Sequence, residues 1–383
     1  MIISNLSKRV TAGMGFFAMG FISLSGIVTN YVGQDFHLPD RIANLLPSAV
    51  YLWFLMFSLP AGSLMNKIGR LNTVICSLMC MGVALLLPLI FYSFCGMLLS
   101  FSLLGISNTF LQVALNPIAA SLVSRQKVAG FLTLGQSIKA IASFLGPILT
   151  SFASLCLGDW KMIFPMFFGW TLLTLLFFFR FPRDTEVSRT QQTDKEGYIQ
   201  LLKDKMILFF LIGIICHVGL DVGAHLTAPR LLMETKDIAL EKAGYLTGFY
   251  FLCRLLGNFW GSFVLVNQRI QRIFFICIIM IILAIGLLFL PFSSSVVTGI
   301  CLLGFFNANV YSILISQAFR HNPKNENEIS GLMSMGVVGG TLFPLLMGAM
   351  SDAFASQKGA SAVLLAGALY LLFLACVLHR KKE

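Results

Sequence analysis

The sequence predicts an all-α membrane protein of twelve transmembrane helices in two pseudo-symmetric six-helix halves, and three observations carry that prediction. Hydrophobic residues make up 57% of the 383 positions and charged residues only 11%, more apolar surface than a soluble core can hide. The apolar residues fall into twelve stretches, each long enough to cross a bilayer as a helix that satisfies its own backbone hydrogen bonds. The second half also repeats the first at a shift of 199 residues: Gly20 recurs as Gly219, Tyr51 as Tyr250, Gly62-Ser63 as Gly261-Ser262, Arg70 as Arg269, and Gly105-x-x-Asn108 as Gly304-x-x-Asn307. Each pair falls at the same depth of the same numbered stretch, and two homologous six-helix halves point to a membrane transporter.

The spans are expected at 12–32, 43–65, 72–93, 96–123, 128–154, 161–182, 206–232, 242–265, 273–292, 295–319, 329–352 and 360–379. Several exceed the minimum crossing length and should tilt. The domains are then an N-terminal half, 1–182, a cytoplasmic linker, 183–205, and a C-terminal half, 206–383. The linker is a mixed-charge stretch, read as a solvated connector with a surface helix as the alternative. Lys8-Arg9 and the apolar run after them resemble a signal peptide, but the run is too long and leads into Asn30-Tyr31-Val32-Gly33, so it is read as an uncleaved first helix.

A net charge of +11 would suit nucleic acid if it lay on one soluble face, but it is distributed by connection instead. Nineteen of the 27 lysines and arginines sit at the termini and in the even-to-odd connections, against six on the opposite side. That bias places both termini in the cytoplasm. The nine cysteines all lie in or at the ends of apolar spans without a C-x-x-C pair, as small apolar packers do. Glycines within spans, as in Gly339-Gly340, let neighbouring backbones approach closely.

Chemistry is sought where polarity is costly, since a charge at the bilayer centre costs at least about 2.5 kcal/mol. Lys139 in span 5, Asp221 in span 7 and Arg254 in span 8 lie near mid-membrane, and Asp221 is the only one of sixteen acidic residues well inside a span. Asp221 is therefore the candidate for a titrating carboxylate, or else it and Arg254 neutralise each other as a buried pair. His217 and His225 flank it at i−4 and i+4 on one helical face, placed to relay protons or to line a wet cavity. That face lacks the further ligands a metal site needs, so no metal and no cofactor are expected. Asn108, Gln112 and Asn116 step by four along span 4, Gln136 precedes Lys139 by three, and Asn307, Asn309 and Gln317 mark span 10. These polar faces serve interhelical hydrogen bonding, or substrate binding if spans 1, 4, 7 and 10 line a central cavity.

Five motifs carry a resemblance: Gly62-x-Leu64-x-Asn66-Lys67-x-Gly69-Arg70, Gln112-Val-Ala-Leu-Asn116-Pro117, Gly219-x-Asp221-Val222, Arg254-Leu-Leu-Gly257 and Phe343-Pro344-Leu-Leu-Met-Gly-Ala-Met-Ser-Asp352. Over nearly its whole length the chain resembles the major facilitator superfamily, and within it the fucose and glucose/galactose permeases, bacterial sugar:proton symporters. The resemblance implies the major facilitator fold and alternating-access transport. It implies gating at Gly62, Asn66, Gly69 and Arg70, although Asn66 stands where the family has an aspartate. It also implies an aspartate in span 1 and a glutamate in span 4; here span 1 has no acid and Gln112 holds the glutamate position. Lys139 stands where the family has an asparagine, whereas Asp221 and Arg254 match.

No G-x-S-x-G, H-E-x-x-H or P-loop pattern signals an enzyme. The expected function is secondary active transport of a sugar or sugar-like molecule across the bacterial inner membrane, by a monomer, with a proton or sodium as coupling ion and no nucleic-acid partner. Asn108, Gln112, Asn116, Gln136, Lys139, Arg254 and Asn307 would bind substrate hydroxyls, Tyr250 and Tyr311 would stack on the ring, and Asp221, His217 and His225 would couple. The alternatives are an anionic sugar acid or organic anion, sodium-coupled or uniport, and a drug-type exporter.

Overall fold

The computed structural model describes residues 2–38, 40–43, 45–181, 195–236, 240–267 and 270–380, and among these there is no β-strand. Among the described residues, twelve helices are long and apolar enough to cross a membrane: Leu6–Asp35, Leu45–Ile68, Arg70–Ile90, Phe94–Ser121, Val128–Cys156, Trp160–Phe179, Lys205–Glu234, Gly248–Val266, Ile270–Leu288, Ser293–His321, Glu326–Phe354 and Lys358–His379. They are called spans 1 to 12. Large apolar side chains such as Ile90 (82% exposed) and Leu155 (84%) stay uncovered by protein, as lipid-facing positions do. The chain is a multi-pass membrane protein.

Local chemistry sets the ends of the spans. Ser93 starts span 4, its hydroxyl accepting from the Gly96 amide at 3.1 Å, the usual service of a serine to an orphan N–H at a helix start. Asp204 starts span 7 likewise, accepting from the Met206 amide at 2.9 Å while His321 Nε2 meets its other oxygen at 2.8 Å. Burial opposes its ionisation, but the His321 hydrogen bond and the two helix amides hold its carboxyl below the usual carboxylate range. Gly69 separates spans 2 and 3 at φ 89°, a conformation that only glycine adopts without strain. At the far end of span 1, Asp35 accepts from Tyr92 and from Trp160 Nε1, aromatic anchors of the type found at a bilayer surface.

Two compact units emerge from the packing: residues 1–124, 135–200 and 322–335, and residues 125–134, 201–321 and 336–383. They differ from a plain division into halves by two exchanged pieces, the starts of spans 5 and 11. The reason is glycine. Within the first unit, a Cβ on Gly331 would lie 2.7 Å from the Ser58 carbonyl; within the second, one on Gly130 would lie 2.5 Å from Val266 Cγ2. Missing side chains let each helix start sink against a helix remote in sequence. The 199-residue repeat has a structural counterpart too. A Cβ on Gly105 would meet the Val50 carbonyl at 2.5 Å, and one on Gly304 the Tyr250 carbonyl at 2.7 Å. Spans 2 and 4, and spans 8 and 10, thus cross at the same repeated glycine.

Of the linker, residues 183–194 lie outside the described residues. Lys195–Lys203 forms a helix whose Tyr198 packs onto span 2.

Candidate functional site

In the second unit, spans 7, 8 and 10 bring the predicted polar residues together. Asp221 is 8% exposed. Its Oδ2 meets Arg254 Nη1 at 3.0 Å and its Oδ1 accepts from the Tyr250 hydroxyl at 2.5 Å, so the carboxylate has both a charge partner and a neutral donor. Such pairing is what a buried charge requires. His225, one turn on, directs Nδ1 to the Asp221 carbonyl at 2.9 Å. His217, one turn before, directs Nδ1 to Asn307 Oδ1 at 2.9 Å, while Asn307 Nδ2 donates to the His217 carbonyl at 3.3 Å. The Tyr311 ring lies 6.3 Å from the imidazole of His217. Tyr250 is wholly buried, with its ring edge-on to Phe251, so in this conformation it offers the carboxylate a hydrogen bond rather than a sugar a face.

In the first unit, Lys139 Nζ donates to Gln112 Oε1 at 3.4 Å. The glutamine at the family's glutamate position is therefore the ammonium's neighbour. Asn108 Nδ2 donates to the Met19 carbonyl at 2.9 Å, and its Oδ1 is buried without a partner among the described residues. Asn116 is buried and Gln136 half-buried. In span 10, Asn309 is buried, and among the described residues neither of its amide atoms has a partner.

A second assembly in the first unit gathers the predicted gating residues. Arg70 pairs with Glu326 at 3.1 Å and donates from Nε to Asn327 Oδ1 at 2.6 Å. Asn327 Nδ2 donates to Asn66 Oδ1 at 2.7 Å, and Asn66 Nδ2 donates to Glu328. Gly62 lies beneath this chain, facing Tyr198 Oη and the Asn327 carbonyl where any side chain would clash. The Tyr198 hydroxyl donates to the Leu59 carbonyl at 3.0 Å; burial pushes it up to about 12. Asn66, which replaces the family's acid, thus binds one of the acids of span 11. Glu326, Asn327, Glu328 and Tyr198 were not anticipated from sequence. The signal was two acidic residues opening an apolar span.

The comparisons with known proteins agree with this architecture. Residues 10–337 match the Major Facilitator Superfamily. The chain belongs to that superfamily. A glucose/galactose transporter of Brucella abortus is 23% identical over 358 residues, covering 88% of this chain and 86% of that protein. A putative glucose/galactose transporter of Helicobacter pylori is 24% identical, with 96% of each covered. Among solved structures, FucP, a superfamily transporter crystallised in the outward conformation, superposes with a TM-score of 0.86 at 17% identity over 98% of this chain and 99% of that one. The superfamily fold predicted from sequence is the fold observed.

Proposed function

We propose that this superfamily member is a secondary active transporter that carries a sugar or sugar-like molecule across the bacterial cytoplasmic membrane by alternating access, coupled to protons, with both termini and the linker cytoplasmic. The observation that carries the reading is the Asp221 carboxylate, deep in a span and held by Arg254 and Tyr250, in a chain whose relatives include glucose/galactose transporters. Protonation of Asp221 removes the charge that holds Arg254, freeing its guanidinium to donate to substrate hydroxyls. Deprotonation restores the pair and expels the sugar. Asn108, Gln112, Asn116, Gln136, Lys139, Asn307 and Tyr311 are the proposed further binding groups, with His217 and His225 beside the coupling acid.

Reconstituted in liposomes under an inward proton gradient, the protein should accumulate at least one of glucose, galactose and fucose. Asp221→Asn should abolish uphill accumulation and spare exchange down a gradient; undiminished accumulation would remove Asp221 from coupling. The Arg70–Glu326 clamp is the proposed gate. Linking Asn66→Cys to Asn327→Cys, in a chain freed of its own cysteines, should stop uptake reversibly, and unimpaired uptake by the linked protein would deny the clamp a gating role.

A second reading, an anionic sugar acid, is supported by Lys139, an added cation beside an amide. Lys139→Asn should then lose uptake of glucuronate and gain uptake of glucose. Equal effects on both would exclude the anionic reading.

A further inference from the structure

Asn307 is oriented by its own two bonds. Its Nδ2 lies 3.3 Å from the His217 carbonyl, an acceptor, so its Oδ1 is the atom 2.9 Å from His217 Nδ1; turning the amide over would set two oxygens against each other. An amide oxygen only accepts, so Nδ1 carries the hydrogen. In a neutral imidazole Nε2 is then bare, a hydrogen-bond acceptor. His217 is 3% exposed, and among the described residues no donor meets its Nε2.

The first repeat shows that the asparagine does not need the histidine. Asn108, the equivalent of Asn307, also donates to a carbonyl of the first helix of its repeat, that of Met19, one residue past the equivalent of His217. The position equivalent to His217 is Ala18, and Asn108 Oδ1 is buried without a partner among the described residues. The strut between the first and fourth helices of a repeat thus forms with a methyl group at that place. The imidazole is an addition to the second repeat, and the one group it presents beyond the strut is the Nε2 lone pair.

We infer that His217 is a substrate-binding residue whose Nε2 accepts a hydrogen bond from a substrate hydroxyl, and that Asn307 is the positioning residue that holds the imidazole in the Nδ1–H tautomer. The inference rests on the sugar-transport reading for the identity of the donor, and on geometry alone for the tautomer. It moves Asn307 out of direct contact with substrate, since both its amide groups are engaged, and moves His217 from proton relay to hydroxyl recognition. A carboxylate brings no hydrogen to a bare Nε2, so this position selects a hydroxyl of the substrate.

The test has a spectroscopic arm and a transport arm. In the 15N spectrum of histidine-labelled protein, with the His217 signal assigned by its loss in His217→Gln, the neutral Nδ1–H tautomer is expected. Asn307→Asp, which keeps an oxygen on Nδ1, should retain an Nδ1–H bond, and Asn307→Leu should move the hydrogen to Nε2. An Nε2–H tautomer or an imidazolium in the unaltered protein overturns the inference. In transport, one monodeoxy derivative of the accepted sugar should raise KM about tenfold in the unaltered protein and bring no further loss in His217→Gln, itself about tenfold weaker for the parent sugar. Equal losses for parent and every deoxy sugar in His217→Gln would reduce His217 to packing and overturn the binding role. Should glucose, galactose and fucose all go untransported by a protein whose spectrum shows Nδ1–H, the sugar reading fails while the tautomer assignment stands.

Discussion

Asn108 and Asn307 occupy equivalent places in the two repeats and each donate to a backbone carbonyl of the first helix of their repeat, yet among the described residues the oxygen of one is without a partner and that of the other holds an imidazole. The same contrast recurs around them. At the shift of 199, Asp221 corresponds to Ile22, Arg254 to Leu55 and His217 to Ala18, while Tyr250 corresponds to another tyrosine, Tyr51. Tyr51 is 39% exposed and Tyr250 wholly buried, with its hydroxyl on the Asp221 carboxylate. What both repeats keep, the crossing glycines and the asparagine bond, ties helices together. What only one carries is costly in a bilayer and needs a functional reason.

The hardest way to break this comparison is to turn the second repeat into the first. Arg254→Leu alone leaves Asp221 as a buried charge without its cation, and removing one partner of such a pair costs about 3–5 kcal/mol. The double substitution Asp221→Ile with Arg254→Leu replaces the pair by apolar groups, an exchange that is often neutral. Thermal unfolding in detergent should show a large loss for the single variant and recovery for the double, with neither transporting. A double variant as unstable as the single would mean that the pair is part of the scaffold after all.

The two asparagines offer a smaller contrast. Asn307→Leu takes from His217 Nδ1 its oxygen partner and from the His217 carbonyl a second donor beyond its helical one, and a buried polar group left unsatisfied costs about 1–3 kcal/mol. Asn108→Leu removes one bond to the Met19 carbonyl and an oxygen that has no partner among the described residues. The first substitution should therefore lower the unfolding temperature more than the second, and equal losses would deny His217 its bond.

The clarity of this contrast matches what sequence can and cannot show. The twelve spans, the repeat, and the depth of Asp221, Arg254 and Lys139 follow from hydropathy, because a polar residue in an apolar run stands out wherever its partners lie. The clamp was legible on one side only. Asn66 and Arg70 belong to a local motif, but Glu326, Asn327 and Glu328 lie more than 250 residues away, and nothing local marks them as its partners. Tyr198 was hidden for the same reason, since a tyrosine in a charged linker says nothing of the glycine notch that receives it. The exchange of span starts between the two units depends on Gly130 and Gly331, two among 33 glycines.

The shared scaffold should respond alike in both repeats. Gly105→Ala would press a methyl group on the Val50 carbonyl, and Gly304→Ala would press one on the Tyr250 carbonyl, at nearly the same separation. Overpacking of this kind costs about 1–3 kcal/mol, and the two losses should match closely in detergent melts. Gly304→Ala should also impair transport more, because the backbone it displaces carries Tyr250, the donor to Asp221. A neutral Gly105→Ala beside a damaging Gly304→Ala in stability would show that the crossings are not equivalent.

The smallest effect lies at Ala18, where the first repeat is one hydrogen-bond donor short of the second. Ala18→Ser adds an oxygen to a fully buried position, on the side of span 1 that in span 7 carries the imidazole to Asn307. Its Oγ falls one atom short of the place that Nδ1 takes, and a helical serine has a competing bond to the carbonyl four residues back, here Met14. Both considerations shrink the gain. An intramolecular hydrogen bond is worth about 0.5–1.5 kcal/mol net, so stabilisation of about 0.5 kcal/mol is expected. The sign carries the information. A small gain means that Asn108 Oδ1 lacks a donor and that the first repeat is the second without its chemistry. A loss of about 1 kcal/mol would mean that the oxygen already has a donor, such as a buried water that the serine displaces, and the difference between the repeats would then rest on the charged groups alone.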